Sequence, residues 1–89
     1  MSGKDEKRKA IFSPQARADI RAIDRETALR LLKALARFLE TNAGDVRRLE
    51  GFDAPLYRLR VGDWRCIFRS AERDSIEVLR VRNRSEAYR

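Results

Sequence analysis

The chain has 89 residues, a mass of 10.4 kDa and 43% hydrophobic residues, enough for one compact domain that buries about 60–65% of its unfolded surface and too few for a second. No apolar run approaches the roughly 18 residues of a membrane span, residues 1–7 lack the apolar segment of a secretion signal, and a lone Cys66 with no histidine argues against internal disulfides, the usual zinc sets and histidine catalysis; a cytoplasmic protein without metal or cofactor is expected. Against 14 acidic residues stand 21 Lys and Arg, a net charge of +7, which favours a polyanionic partner.

Residues 1–7 are polar, carry charges of both signs without periodicity, and read as a loose arm ahead of one domain over 8–89. Residues 8–13 alternate as a strand, with Ala10 and Phe12 on one face and Ile11 on the other. Ser13-Pro14 starts a helix: serine is a favoured N-cap, and a proline at the first helical position lacks only an N–H that would go unused. Ala16, Ile20 and Ile23 carry this helix forward. Asp24 caps a second helix to about Thr41, whose inward stripe is Ala28, Leu31, Leu32, Leu35, Phe38 and Leu39. Asn42-Ala43-Gly44 ends it. Residues 45–55 hold no sustained period and are expected to be a loop anchored to the core by Leu49 and Phe52.

Leu56 to Val61 alternates, Gly62-Asp63 is a turn dipeptide, and Trp64 to Arg69 alternates again, which is a β-hairpin. A two-residue turn pairs Arg60 with Arg65, Leu59 with Cys66, Arg58 with Ile67 and Tyr57 with Phe68. One face then holds Tyr57, Leu59, Val61, Trp64, Cys66 and Phe68, and the other holds Arg58, Arg60, Arg65 and Arg69. Arginine suits phosphate because its planar fork donates in pairs. The opposed Arg60 and Arg65 cost stability, by up to about 1 kcal/mol, where a sequence chosen for folding alone would place a carboxylate. After a turn near residues 72–75, Ile76 to Arg82 forms a further strand, with Leu79 and Val81 on one face and Arg80 and Arg82 on the other. Cys66 is expected to be an inert packed thiol and Trp64 a lid on the core.

The succession of Ser13-Pro14 opening a helical hairpin, Tyr57-Arg58-Leu59-Arg60-Val61-Gly62-Asp63-Trp64-Arg65, and Val81-Arg82-Asn83-Arg84-Ser85-Glu86-Ala87-Tyr88 resembles the RelE/ParE superfamily of bacterial toxins over nearly the whole chain after residue 7. The resemblance implies an α+β fold in which an N-terminal strand and a two-helix hairpin pack on a small, twisted, mainly antiparallel four-stranded sheet. It also implies a toxin of a type II toxin–antitoxin system. Members of the RelE branch cleave mRNA, typically in the ribosomal A site; members of the ParE branch act on DNA gyrase. Both are held inactive by a cognate antitoxin, so a toxin–antitoxin hetero-oligomer is expected, with mRNA and the ribosome as further partners on the RelE reading. A non-enzymatic nucleic-acid-binding module is the alternative from another class.

Carried over by position, the RelE resemblance marks Arg58 and Arg60 as the paired basic residues of the first hairpin strand, Arg65 as the arginine after the turn, Arg82 at the end of the last strand, and Tyr88 as the C-terminal tyrosine. Arg84, in the closing motif, joins Arg58 and Arg60 as a phosphate contact, and Arg65, Arg82 and Tyr88 are the catalytic candidates. RelE itself carries lysines at the paired positions, and many relatives carry histidine where this chain has Asn83. RNA can be cut without metal when its own 2′-hydroxyl attacks the adjacent phosphate, and guanidinium groups would stabilise the charge that builds there. A guanidinium stays protonated near neutral pH. Tyr88, its pKa lowered by surrounding positive charge, is therefore expected to act as general base or to stack on a base and orient the hydroxyl.

Overall fold

The computed structural model describes residues 8–84; the expected arm at residues 1–7, and Tyr88 with its neighbours in 85–89, lie outside the described residues. Its elements run β1 (Ala10–Phe12), α1 (Pro14–Arg21), α2 (Arg25–Thr41), β2 (Asp45–Leu49), β3 (Leu56–Val61), β4 (Trp64–Ser70) and β5 (Ile76–Asn83), with a 3-10 turn at Glu72–Asp74. The helices start where their caps dictate. Ser13 Oγ accepts the Ala16 N–H at 3.0 Å and donates to the Leu79 carbonyl at 2.9 Å, tying the start of α1 to β5. Asp24 Oδ2 accepts the Thr27 N–H at 3.0 Å. Asn42 closes α2 in the left-handed region at φ 63°, a conformation asparagine tolerates. Arg8 also satisfies this end: its guanidinium donates to the carbonyls of Phe38 and Leu39 and to Asn42 Oδ1, and lies 5.0 Å over the Phe38 ring.

The sheet has the order β1-β5-β4-β3-β2, with β1 parallel to β5 and every other pairing antiparallel. Two helices on a mainly antiparallel sheet is the expected α+β arrangement, with five strands rather than four. The added strand is β2, cut from the segment read as a loop. It is an edge strand in which only Val46 lines up with the core rank of Leu59, Cys66 and Val81. Leu49, three residues on, falls on the other face, so no period of two is visible. Leu49 is half-buried opposite Leu56, but Phe52, expected as a second anchor, is 55% exposed.

Ala16, Leu31 and Leu35 from the helices meet Leu59, Cys66, Phe68, Ile76, Val78 and Val81 from the sheet. Truncating a leucine packed this deeply typically costs about 2–5 kcal/mol. Leu32, placed in the inward stripe by its spacing, is 38% exposed. Ala34, Phe38 and Leu39 of the same helix are partly buried against the core. Phe68 carries the aromatic layer, tilted on Phe38 at 5.5 Å and stacked on Tyr57 at 5.6 Å.

In β5 the pairing passes from Ile67↔Arg80 to Phe68↔Val78, leaving Leu79 unmatched. This bulge puts Val78 and Val81 together in the core, where simple alternation had grouped Leu79 with Val81.

Candidate functional site

Gly62 takes φ 61° at the first turn position, as a two-residue hairpin loop with glycine first requires. The hairpin register is the one its alternation dictates, with Arg60 opposite Arg65 and Arg58 opposite Ile67. The flanking strands extend it. Asp45 and Arg47 of β2 stand opposite Arg60 and Arg58, and Arg82 and Arg80 of β5 stand opposite Arg65 and Ile67. One sheet face thus carries two cross-strand ranks: Asp45, Arg60, Arg65 and Arg82, and, about 6.6 Å further along the strands, Arg47, Arg58, Ile67 and Arg80.

The arginines of this face are not equivalent. Arg65, on the central strand, is only 6% exposed. Its Nη1 donates over 3.3 Å to the Trp64 carbonyl and 3.5 Å to the Gly62 carbonyl, both long, and its buried Nε has no partner. A buried guanidinium this poorly satisfied is costly. Arg58, 9% exposed, donates to the Asp45 carbonyl at 3.5 Å and lies 3.8 Å from the Asp45 carboxylate. The alternation gives their face but not this burial. Arg60 and Arg47 are exposed.

Other basic residues differ in what holds them. Arg69 pairs with Glu77 at 2.7 Å. Arg84, exposed beyond β5, donates its backbone N–H to the Asp63 carbonyl at 2.6 Å, which ties the end of β5 to the hairpin turn. Arg80 Nε and Nη2 donate to Asp19 of α1 at 2.9 and 3.2 Å, and Asp19 Oδ2 also accepts the Val81 N–H at 2.8 Å. Burial would raise the Asp19 pKa, but the Arg80 fork, the Val81 N–H and the positive charges of Arg80 and Arg82 together hold it below the usual carboxylate range. Cys66 is fully buried and its thiol is pushed up to about 12 by burial. Trp64 is half-buried and lines a cavity of about 100 Å³ with Leu31 and Val61.

Asp19, Asp45 and Arg47 were not legible as site residues. Arg47 lies in a segment without a period, and nothing in the local sequence links Asp19 to a strand sixty residues away. Among the described residues no three His, Cys, Asp or Glu side chains cluster as metal ligands, and no helix is long and apolar enough to cross a membrane. Chemically, the face can neutralise and orient phosphate groups.

Residues 10–88 match the profile of a family described as ParE toxin of type II toxin-antitoxin system, parDE. The chain belongs to this toxin family. Solved structures agree at the level of the RelE/ParE superfamily. The toxin is similar to the archaeal RelE–RelB complex from Pyrococcus horikoshii OT3, with 25% identity, a TM-score of 0.69, and coverage of 92% of this chain and 99% of that one. It is similar to a mutant of the Escherichia coli toxin RelE in the free state, with 19% identity, a TM-score of 0.71, and coverage of 92% and 87%. With the intact E. coli RelBE toxin–antitoxin complex it shares 17% identity and a TM-score of 0.67, over 85% and 95% of the two chains. A comparison with curated proteins found no match.

Proposed function

We propose that this toxin is a metal-independent endoribonuclease that inhibits translation by cleaving mRNA held on the ribosome. The observation that carries the reading is Arg65: buried, flanked in register by Arg60 and Arg82, and left with an unpartnered Nε. A buried donor left unsatisfied calls for an explanation beyond folding, and contact of the Arg65 guanidinium with phosphate supplies one.

In the proposed reaction the 2′-hydroxyl attacks the adjacent phosphorus and the bond to the 5′-oxygen breaks, giving a 2′,3′-cyclic phosphate and a 5′-hydroxyl. The 2′ proton leaves to a base and the 5′-oxygen gains one. Arg65 and Arg82 stabilise the charge on the non-bridging oxygens, while Arg58, Arg60 and Arg84 hold phosphates. Tyr88 serves as the base or orients the hydroxyl. With such weak acid–base groups, in-line positioning by the ribosome supplies much of the rate. A cognate antitoxin, as in the RelE–RelB complexes, is the proposed inhibitory partner.

The test is cleavage of an mRNA with and without programmed ribosomes, with the cut ends mapped. Cuts bearing cyclic or 3′-phosphate, accelerated by ribosomes and absent in Arg65→Ala, are expected. Intact RNA in both reactions sinks the reading. The family match itself favours a second reading, inhibition of DNA gyrase; loss of supercoiling activity at toxin concentrations that leave translation untouched would establish it.

A further inference from the structure

The register that brings Arg82 to Arg65 depends on a strand that has lost its outer neighbour. β1 covers the outer edge of β5 only from Ile76 to Val78. Ser13 continues the cover for one residue, its N–H donating to the Val78 carbonyl at 3.0 Å and its hydroxyl to the Leu79 carbonyl at 2.9 Å. Immediately afterwards comes the bulge at Leu79, a point where a strand bends and register can shift. Beyond it, among the described residues, no strand lies beside the outer edge of β5 and the Val81 N–H has no backbone partner on that side.

Asp19 takes over there. Its carboxylate, with 16% of the side chain exposed, accepts from the Val81 N–H and from two nitrogens of Arg80. One group on α1 therefore fixes two successive residues of β5, and the next residue in the chain is Arg82. A carboxylate can do this where a neutral side chain of the same length cannot, because it accepts three charge-assisted or backbone bonds at once in a fork geometry. Helix α1 is itself anchored to β5 through Ser13, so Asp19 is held at both ends of a short rigid span.

We infer that Asp19 is a positioning residue for the phosphate-binding rank: by holding Arg80 and Val81 after the β5 bulge, it sets where the Arg82 guanidinium stands relative to Arg65. Asp19 touches no substrate. This inference rests on the reading of Arg65 and Arg82 as the catalytic arginines for its kinetic consequence, but its structural content does not.

The experiment compares wild type with Asp19→Ala and Asp19→Asn, using the full chain labelled with ¹⁵N. In Asp19→Ala the Val81 amide is expected to lose its exchange protection and the Arg82 Nε resonance to broaden or shift, while the amides of Leu59 and Cys66 keep theirs. In ribosome-programmed cleavage the kcat of Asp19→Ala should fall about tenfold or more, as expected when a catalytic group is displaced by an ångström or so, with KM within about twofold. Asp19→Asn keeps one acceptor oxygen for the Val81 N–H but loses the second oxygen that completes the Arg80 fork, so its kcat should lie between those of Asp19→Ala and wild type. Unchanged Val81 exchange and Arg82 resonance in Asp19→Ala overturn the inference, as does uniform loss of protection across the sheet, which would mean that Asp19 only stabilises the fold. Wild type that cuts no RNA would defeat the ribonuclease reading alone, and the exchange and side-chain spectra would still decide the position of Arg82.

Discussion

Arg65 and Arg82 stand directly opposite one another across β4 and β5, two like charges in register, with Arg60 opposite Arg65 on the other side. Three guanidinium groups in one rank oppose folding unless something anionic lies over them. Replacing Arg65 by methionine should therefore abolish growth arrest and RNA cleavage while raising stability by about 1–2 kcal/mol, since a buried charge with an unsatisfied donor gives way to an apolar side chain of similar length. Urea unfolding of both proteins measures this. A variant less stable than wild type would mean that the rank carries no strain.

Arg47 extends the face and is exposed opposite Arg58, whereas Arg69 is engaged by Glu77. Arg47→Ala should weaken binding to a short single-stranded RNA and reduce the slope of log K against log salt by about one. Arg69→Ala should leave that slope unchanged. Filter binding or anisotropy at several salt concentrations distinguishes them, and equal slopes for wild type and Arg47→Ala would remove β2 from the binding face.

The Asp19 carboxyl titrates below its ordinary value of 3.8 in the folded chain, facing Arg80 and Arg82 of β5. Its contribution to stability is complete at pH values above the unfolded-state pKa and disappears as the pH falls through the folded-state value. The stability difference between wild type and Asp19→Asn should be largest at neutral pH and shrink below about pH 4. Denaturant titrations at neutral pH and at pH 3 read it directly; a gap that widens with acid would contradict the assignment.

Cys66, fully buried with its thiol pushed up to about 12, should not react with a thiol reagent at pH 8 in the native toxin. Labelling is expected only after denaturant is added, at a rate that follows unfolding. Rapid native labelling would show that the sheet opens at β4.

What could be read from the sequence was whatever is local. The hairpin from Leu56 to Arg69 declares its register, because two alternating runs around Gly62-Asp63 leave one pairing. The caps at Ser13 and Asp24 likewise act within a turn. The edge strand β2 was hidden because an edge in contact with solvent on one side need not alternate, and Arg47-Arg48 looks like loop. The bulge at Leu79 shifts faces by one residue without leaving a mark in composition. Burial of Arg58 and Arg65, and the grip of Asp19 on β5, arise from elements that meet only in the folded chain. Arg58, Arg60, Arg65 and Arg82 were therefore legible as residues on one face, but their inequality was not.

The parallel pairing of β1 with β5 joins Ala10 to Ile76, contacts of long sequence separation that form slowly. During synthesis α1, α2 and the β3–β4 hairpin can form from neighbouring residues, yet β1 has no strand to pair with until Ile76–Val78 have been made. Arg82 comes later still. No partly made chain carries the full rank of Arg60, Arg65 and Arg82, so this face of the sheet is assembled only after β5 has been made, and a partner made alongside the toxin has the whole time of translation in which to arrive.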